Sequence, residues 1–179
     1  MKYRIRNWYS ELQMLKVKLG VLLSHMLGAM SAVGLLSATI IRADGSRINV
    51  GVLGMRAVTD TGVAFLVDDW DDGTTSITTM NYHDSGTGVV AENQTDTGMG
   101  TQAGPTTRAT GVKTQPSANI LQSVGTISYT GSLAITEHGL FDQAAQGGTL
   151  WDRTKFAAIN VESGDSIEFT YQCTLTAGS

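Results

Sequence analysis

The chain has 179 residues, enough for one ordinary domain with a sizeable core and room for a separate terminal element. Its single cysteine, Cys173, excludes a disulfide framework within the chain, and a formal net charge of -4 argues against the broad basic surface that nucleic-acid recognition requires. That charge is unevenly placed: Lys2, Arg4, Arg6, Lys16 and Lys18 face only Glu11 in the first 18 residues, so a basic head precedes an acidic remainder.

The stretch NWYSELQMLKVKLGVLLSHM predicts a helix. Ser10 is placed to cap it, Gln13 sits at the capping-box position, and Tyr9 with Met14 fits a flanking apolar staple. Leu12, Leu15, Leu19 and Leu22 recur at three- and four-residue spacing and form an apolar stripe that something must cover, with Lys16 and Lys18 among them. From Leu19 to Ile41 there are 23 residues without Asp, Glu, Lys or Arg, which raises a membrane span or export signal. Against that stand His25, Ser24, Ser31, Ser37, Thr39 and three glycines, together with a change near Leu35 into LLSATIIRADGSRINVGVL, whose end reads as two strands joined at Asp44-Gly45. The preferred division is therefore a basic amphipathic arm over 1–34 that packs on a partner or on the body, and a β-rich body over 35–179, with membrane association as the lesser alternative.

Further along, VTDTGVAFLVDDW predicts a short helix capped by Thr59 or Asp60, with a strand through VAFLV as the competitor. Residues 73–111 are dense in Gly, Thr, Ser, Asn and Asp and offer short strands at TSITTM and around Val89 and Val90. In SVGTISYTGSLAIT, Ile127, Tyr129, Leu133 and Ile135 share one alternation parity, with Gly131 permitting a bend. The firmest local pattern is DSIEFTYQCTL, where Ile167, Phe169, Tyr171, Cys173 and Leu175 alternate with polar residues as in a half-buried strand, after a turn at SGD. Together these segments predict a mainly β fold, an antiparallel sandwich or barrel-like domain with an N-terminal amphipathic helix as docking arm.

Candidate chemistry is sparse. DDWDDG, Asp68 to Gly73, invites calcium, but an EF-hand register puts Trp70 and Thr79 where oxygen ligands belong, so a solvated acidic turn anchored by Trp70 is the plainer reading. His25, His83 and His138 lack zinc spacing; Asp84 can orient His83, with Ser85 nearby, but sequence adjacency is not triad geometry. No phosphate-cradling loop ends in Lys-Ser or Lys-Thr, and Cys173 on an interior strand lacks an activator. In ITEHGLF, Glu137 and His138 form an acid–base couple only if the strand ends there, since alternation otherwise sends them to opposite faces; Arg153 is the candidate partner of a partly buried Glu137. No cofactor and no catalytic or metal ligand set is assigned.

The runs ITEHGLF, GTLWDRTKFAAINV and GDSIEFTY, with VTDTGVAFLVDDW and TTSITTMNYHDSGTG upstream, resemble structural proteins of tailed bacteriophages over about residues 35–176. The resemblance implies a noncatalytic β domain, made in the host cytoplasm and assembled into the virion in many copies. Its partners would be copies of itself and major capsid, connector or tail subunits, with no specific nucleic acid. In that reading Glu137 to Phe141 form a turn that re-enters the core at Leu140 or Phe141, Trp151 anchors the following segment, and residues 1–34 dock on a neighbour. A receptor- or glycan-binding tail module, using Tyr82 or Trp70, is the alternative.

Overall fold

The computed structural model describes residues 8–71, 76–105 and 107–177. Helix α1 (Trp8–Met26) leads into strand β1 (Ser31–Ile41), and a hairpin turn returns the chain as β2 (Arg47–Ala57). At that turn Ser46 N donates to Asp44 Oδ1 (2.8 Å), and Gly45 takes the left-handed φ of +83° that a side chain would resist. Because β1 opens at Ser31, the division drawn at residue 34 falls inside a strand, and the arm proper ends in the short connection after Met26. Ser10 is not the cap expected of it, since the helix already runs through Trp8 and Tyr9; the side chains of Tyr9, Ser10 and Gln13 lie outside the described residues.

Helix α2 (Asp60–Asp71) follows, and the capping expectation is met by Thr59: Gly62 N donates to its Oγ1 at 3.1 Å, while that hydroxyl is 2.7 Å from the Leu150 carbonyl. Then come a single 3₁₀ turn (Ile77–Thr79), β3 (Tyr82–Gly86), β4 (Ala109–Thr110), β5 (Val112–Ser117), β6 (Ile120–Ser128), β7 (Leu133–Phe141), β8 (Leu150–Val161) and β9 (Ser166–Thr176). Two expected strands are absent among the described residues. The described part of TSITTM forms the 3₁₀ turn, held by Thr79 N and Oγ1 donating to Ser76 O, and Val89 and Val90 lie in an exposed irregular segment. β-branched residues alone did not supply a strand partner there.

Among the described residues the fold is mixed: two antiparallel sheets with two α-helices, one sheet ordered β2-β1-β9-β6-β5 and the other β4-β3-β7-β8. The apolar parity of β9 explains its central place, with Ile167, Phe169, Tyr171 and Cys173 buried; Leu175, at 42% exposure near the strand end, departs from the pattern. Leu36, Ala38 and Ile40 of β1 and Ile127 of β6 join one core with Ile135 and Leu140 of β7 and Trp151, Phe156 and Ile159 of β8. The Phe169 ring meets the rings of His138 (4.7 Å between centroids) and Phe156 (6.3 Å) from the other sheet. Burying such a phenylalanine contributes about 1.5–3 kcal/mol, so the contacts across the two sheets outweigh any single polar contact at the surface. The edge strand β5 is exposed throughout and carries Pro116, whose missing N–H is tolerated at a sheet edge.

Candidate functional site

The stretch ITEHGLF is strand, not turn: Glu137 to Phe141 lie in β7, paired on one side with β3 and on the other with β8. The pairing with β8 slips between Ile135 and Glu137, a bulge that resets the alternation. Ile135, His138 and Leu140 thereby face the other sheet, whereas Glu137 and Phe141 face outward. The alternation that puts Leu133 and Ile135 on one face therefore does not carry through to Glu137. That the two polar neighbours would diverge if the strand continued was right.

The outward face is not wet. Residues 87–105 lie across it, and Glu137, fully buried, is the rivet: Gly88 N and Thr101 N donate to Oε1 at 3.0 and 2.7 Å, and Gly100 N and Arg153 Nε donate to Oε2 at 3.0 and 2.7 Å. A Cβ at Gly86 or Gly88 would collide with the Glu137 side chain, which is why glycine occupies both positions. Arg153 spends its remaining donors on Asp96 Oδ2 (2.8 Å) and the Val90 carbonyl (3.0 Å). Burial works against its charge, but the two carboxylates outweigh that and raise its pKa. A second pair fixes the end of the segment: Arg108 Nε donates to Asp84 Oδ2 at 3.0 Å, and its guanidinium carbon lies 3.5 Å above the Phe141 ring. A third joins Glu92 to Arg56 of β2. Asp84 therefore does not orient His83; the two point to opposite faces of β3, and burial raises the Asp84 carboxyl despite Arg108.

Between the sheets lies a hydrogen-bonded relay that sequence spacing did not announce. His83 Nδ1 is 2.9 Å from His138 Nε2, and His83 Nε2 is 2.8 Å from Ser123 Oγ of β6. Its direction follows from the end. Asn81 Nδ2 donates to the Gly111 carbonyl (2.6 Å), so Asn81 Oδ1 accepts from Ser123 Oγ (2.7 Å); Ser123 must then accept from His83 Nε2–H, and His83 Nδ1 from His138 Nε2–H. Both imidazoles are neutral: burial takes His83 down to about 3, and burial with the neighbouring His83 takes His138 well below its ordinary value.

The remaining expected residues are spread over the fold. Trp151 is buried and donates Nε1–H to Tyr171 Oη (3.0 Å), which donates to Asp152 Oδ2 (3.1 Å); burial pushes Asp152 up to about 6. Cys173 is buried and its thiol is pushed up to about 12 by burial, which keeps it protonated. Trp70 anchors nothing: it stands 71% exposed near the end of α2, which runs through Asp71, while Asp72 and Gly73 of the acidic run lie outside the described residues. Among the described residues no three His, Cys, Asp or Glu side chains are grouped to hold a metal ion, and no helix is long and apolar enough to cross a membrane.

Helix α1 lies against β2 and touches β1. Among its described side chains Met14, Val17, Val21 and Ser24 are partly buried, whereas Leu12, Leu15, Leu19, Leu22, Leu23 and Met26 are exposed, Leu15 and Leu19 by more than 60%. At 3.6 residues per turn the exposed set spans an arc of about 100° opposite the inward set, bordered by Lys16 on one side and by Glu11 and Lys18 on the other. The stripe seen in the sequence is thus the free face, and a second apolar face, overlooked there, is the one the chain uses for itself. No protein-family model and no curated protein matches the chain.

Proposed function

We propose that this chain is a noncatalytic structural protein of a tailed bacteriophage, assembling in multiple copies on the capsid or tail with α1 making the contacts between subunits. The observation that carries the proposal is the bare leucine face of α1. A helix apolar on two opposite faces belongs in an interior, and one copy covers only one of them. The body suits a scaffold. Its two sheets would form the β-sandwich of such a module, the segment that covers the outer face of β7 is riveted by buried ion pairs, and its Glu137 has both oxygens committed to donors. Glu137 and His138 sit on opposite faces of β7, each sealed from solvent, so they make no acid–base couple. The resemblance of ITEHGLF, GTLWDRTKFAAINV and GDSIEFTY to virion proteins supports the same reading, with the protein made in the host cytoplasm and working in the particle.

The test removes residues 1–28, which spares β1, and scores incorporation into particles alongside the melting temperature. Incorporation should be lost while the body still melts cooperatively. Particles that take up the truncated protein at the full level would overturn the arm as the docking element.

A further inference from the structure

We infer that the leucine face of α1 docks on the outer face of α2 of a second copy of this chain, so that copies join head to tail. The inference rests on the assembly reading above and names the surface that receives the arm. On α2, Phe65 and Gly62 face the body, but Val63, Val67 and Trp70 are at least half exposed and, at spacings of four and three, share one side. Leu66 continues that side into a groove of about 250 Å³ lined also by Ile77, Leu121 and Leu175. The α1 stripe and the α2 stripe are both exposed in the single copy, so they do not cover one another within it.

Charge selects α2 as the partner. The exposed carboxylates of Asp60, Asp68 and Asp71 border the α2 stripe, and α2 has no basic residue in its last turn. Acidic side chains there oppose the negative end of the helix dipole, an arrangement that an incoming cation relieves. Lys16 borders the α1 stripe on one edge and Lys18, with Glu11, on the other, so the stripe's rims are net positive and supply that cation. Pairing α1 with another α1 would instead bring Lys16 and Lys18 of one copy to those of the other, with Glu11 alone to offset them. A contact between two different surfaces leaves the joined pair with one of each still free, and so propagates into a ring or a row.

The experiment is sedimentation velocity on the purified full chain over a concentration series at low and high salt. The variants are K16E/K18E, D68K/D71K and L15D/L19D, with circular dichroism melts confirming that each is folded. Wild type should self-associate, more weakly at high salt, and each charge-reversed variant should associate about tenfold less tightly on its own. A mixture of K16E/K18E with D68K/D71K should recover association, because each α1 then meets an α2 of opposite charge; a merely misfolded variant would not be rescued. If D68K/D71K associates like wild type while L15D/L19D does not, α2 is not the receptor, yet the arm still docks. If L15D/L19D also associates like wild type, the arm reading itself fails, and a wild type that stays monomeric throughout overturns the head-to-tail contact.

Discussion

Acid should weaken this protein through the His83–His138 relay. In the folded chain His83 is surrounded by neutral partners, His138, Ser123 and the glycine backbone at 125, and its pKa falls to about 3 because burial disfavours the cation. In the unfolded chain it returns to about 6.5. The unfolded state therefore binds the extra proton between those values, and stability contributed by neutral His83 is present above about pH 6.5 and lost as pH falls toward 3. Between about pH 7 and about pH 4.5 the loss from His83 alone is about 2–3 kcal/mol, and His138 acts in the same direction. Asp152 acts oppositely: its pKa is raised to about 6, so its protonation favours the folded chain by about 2 kcal/mol over the same interval. Urea unfolding at the two pH values, on wild type and H83Q, reads the His83 contribution together with its hold on His138, whatever the variant's absolute stability. H83Q should lose about 2–3 kcal/mol less than wild type on acidification; an equal loss in both would refute a buried neutral His83.

Three further outcomes follow from the same geometry. D152N removes a carboxylate held against its preference among Trp151, Thr154 and Tyr171, so its unfolding free energy should gain on wild type at about pH 7.5 and lose that advantage near pH 4.5. R153M leaves Glu137 buried without its cation and should cost about 3–5 kcal/mol in urea unfolding, and faster hydrogen exchange in residues 87–105 should accompany it. T59A deletes the hydroxyl that caps α2 and ties it to the Leu150 carbonyl, and should cost about 1–2 kcal/mol; a change below a few tenths would remove Thr59 from that role.

Local pattern was legible where local forces decide. The alternation of β9, the Asp44-Gly45 turn and the Thr59 cap each depend on a few neighbouring residues, so the sequence around each is enough to specify it. What failed depends on partners far along the chain. Glu137 looked like a turn residue because a carboxylate inside a strand makes sense only once Gly88, Gly100, Thr101 and Arg153 converge on it. His83 and His138 meet across 55 positions of sequence and show no spacing signal. A β-bulge after Ile135 moved every later residue of β7 to the other face, so strict alternation misassigned them. On α1 the leucines drew attention, although Met14, Val17 and Val21 form the side turned to the body. The aspartates around Trp70 fit both the end of a helix over VTDTGVAFLVDDW and an acidic turn over DDWDDG, and the helix prevails through Asp71 although its last turn carries carboxylates where cations are preferred.

The most direct measurement is a cryo-EM map of the assembled particle at side-chain resolution. If α1 is the docking arm, Leu15, Leu19 and Leu22 of each copy will be buried against another subunit, with Lys16 and Lys18 beside carboxylates. A map in which α1 keeps this leucine face in solvent in every copy would contradict it.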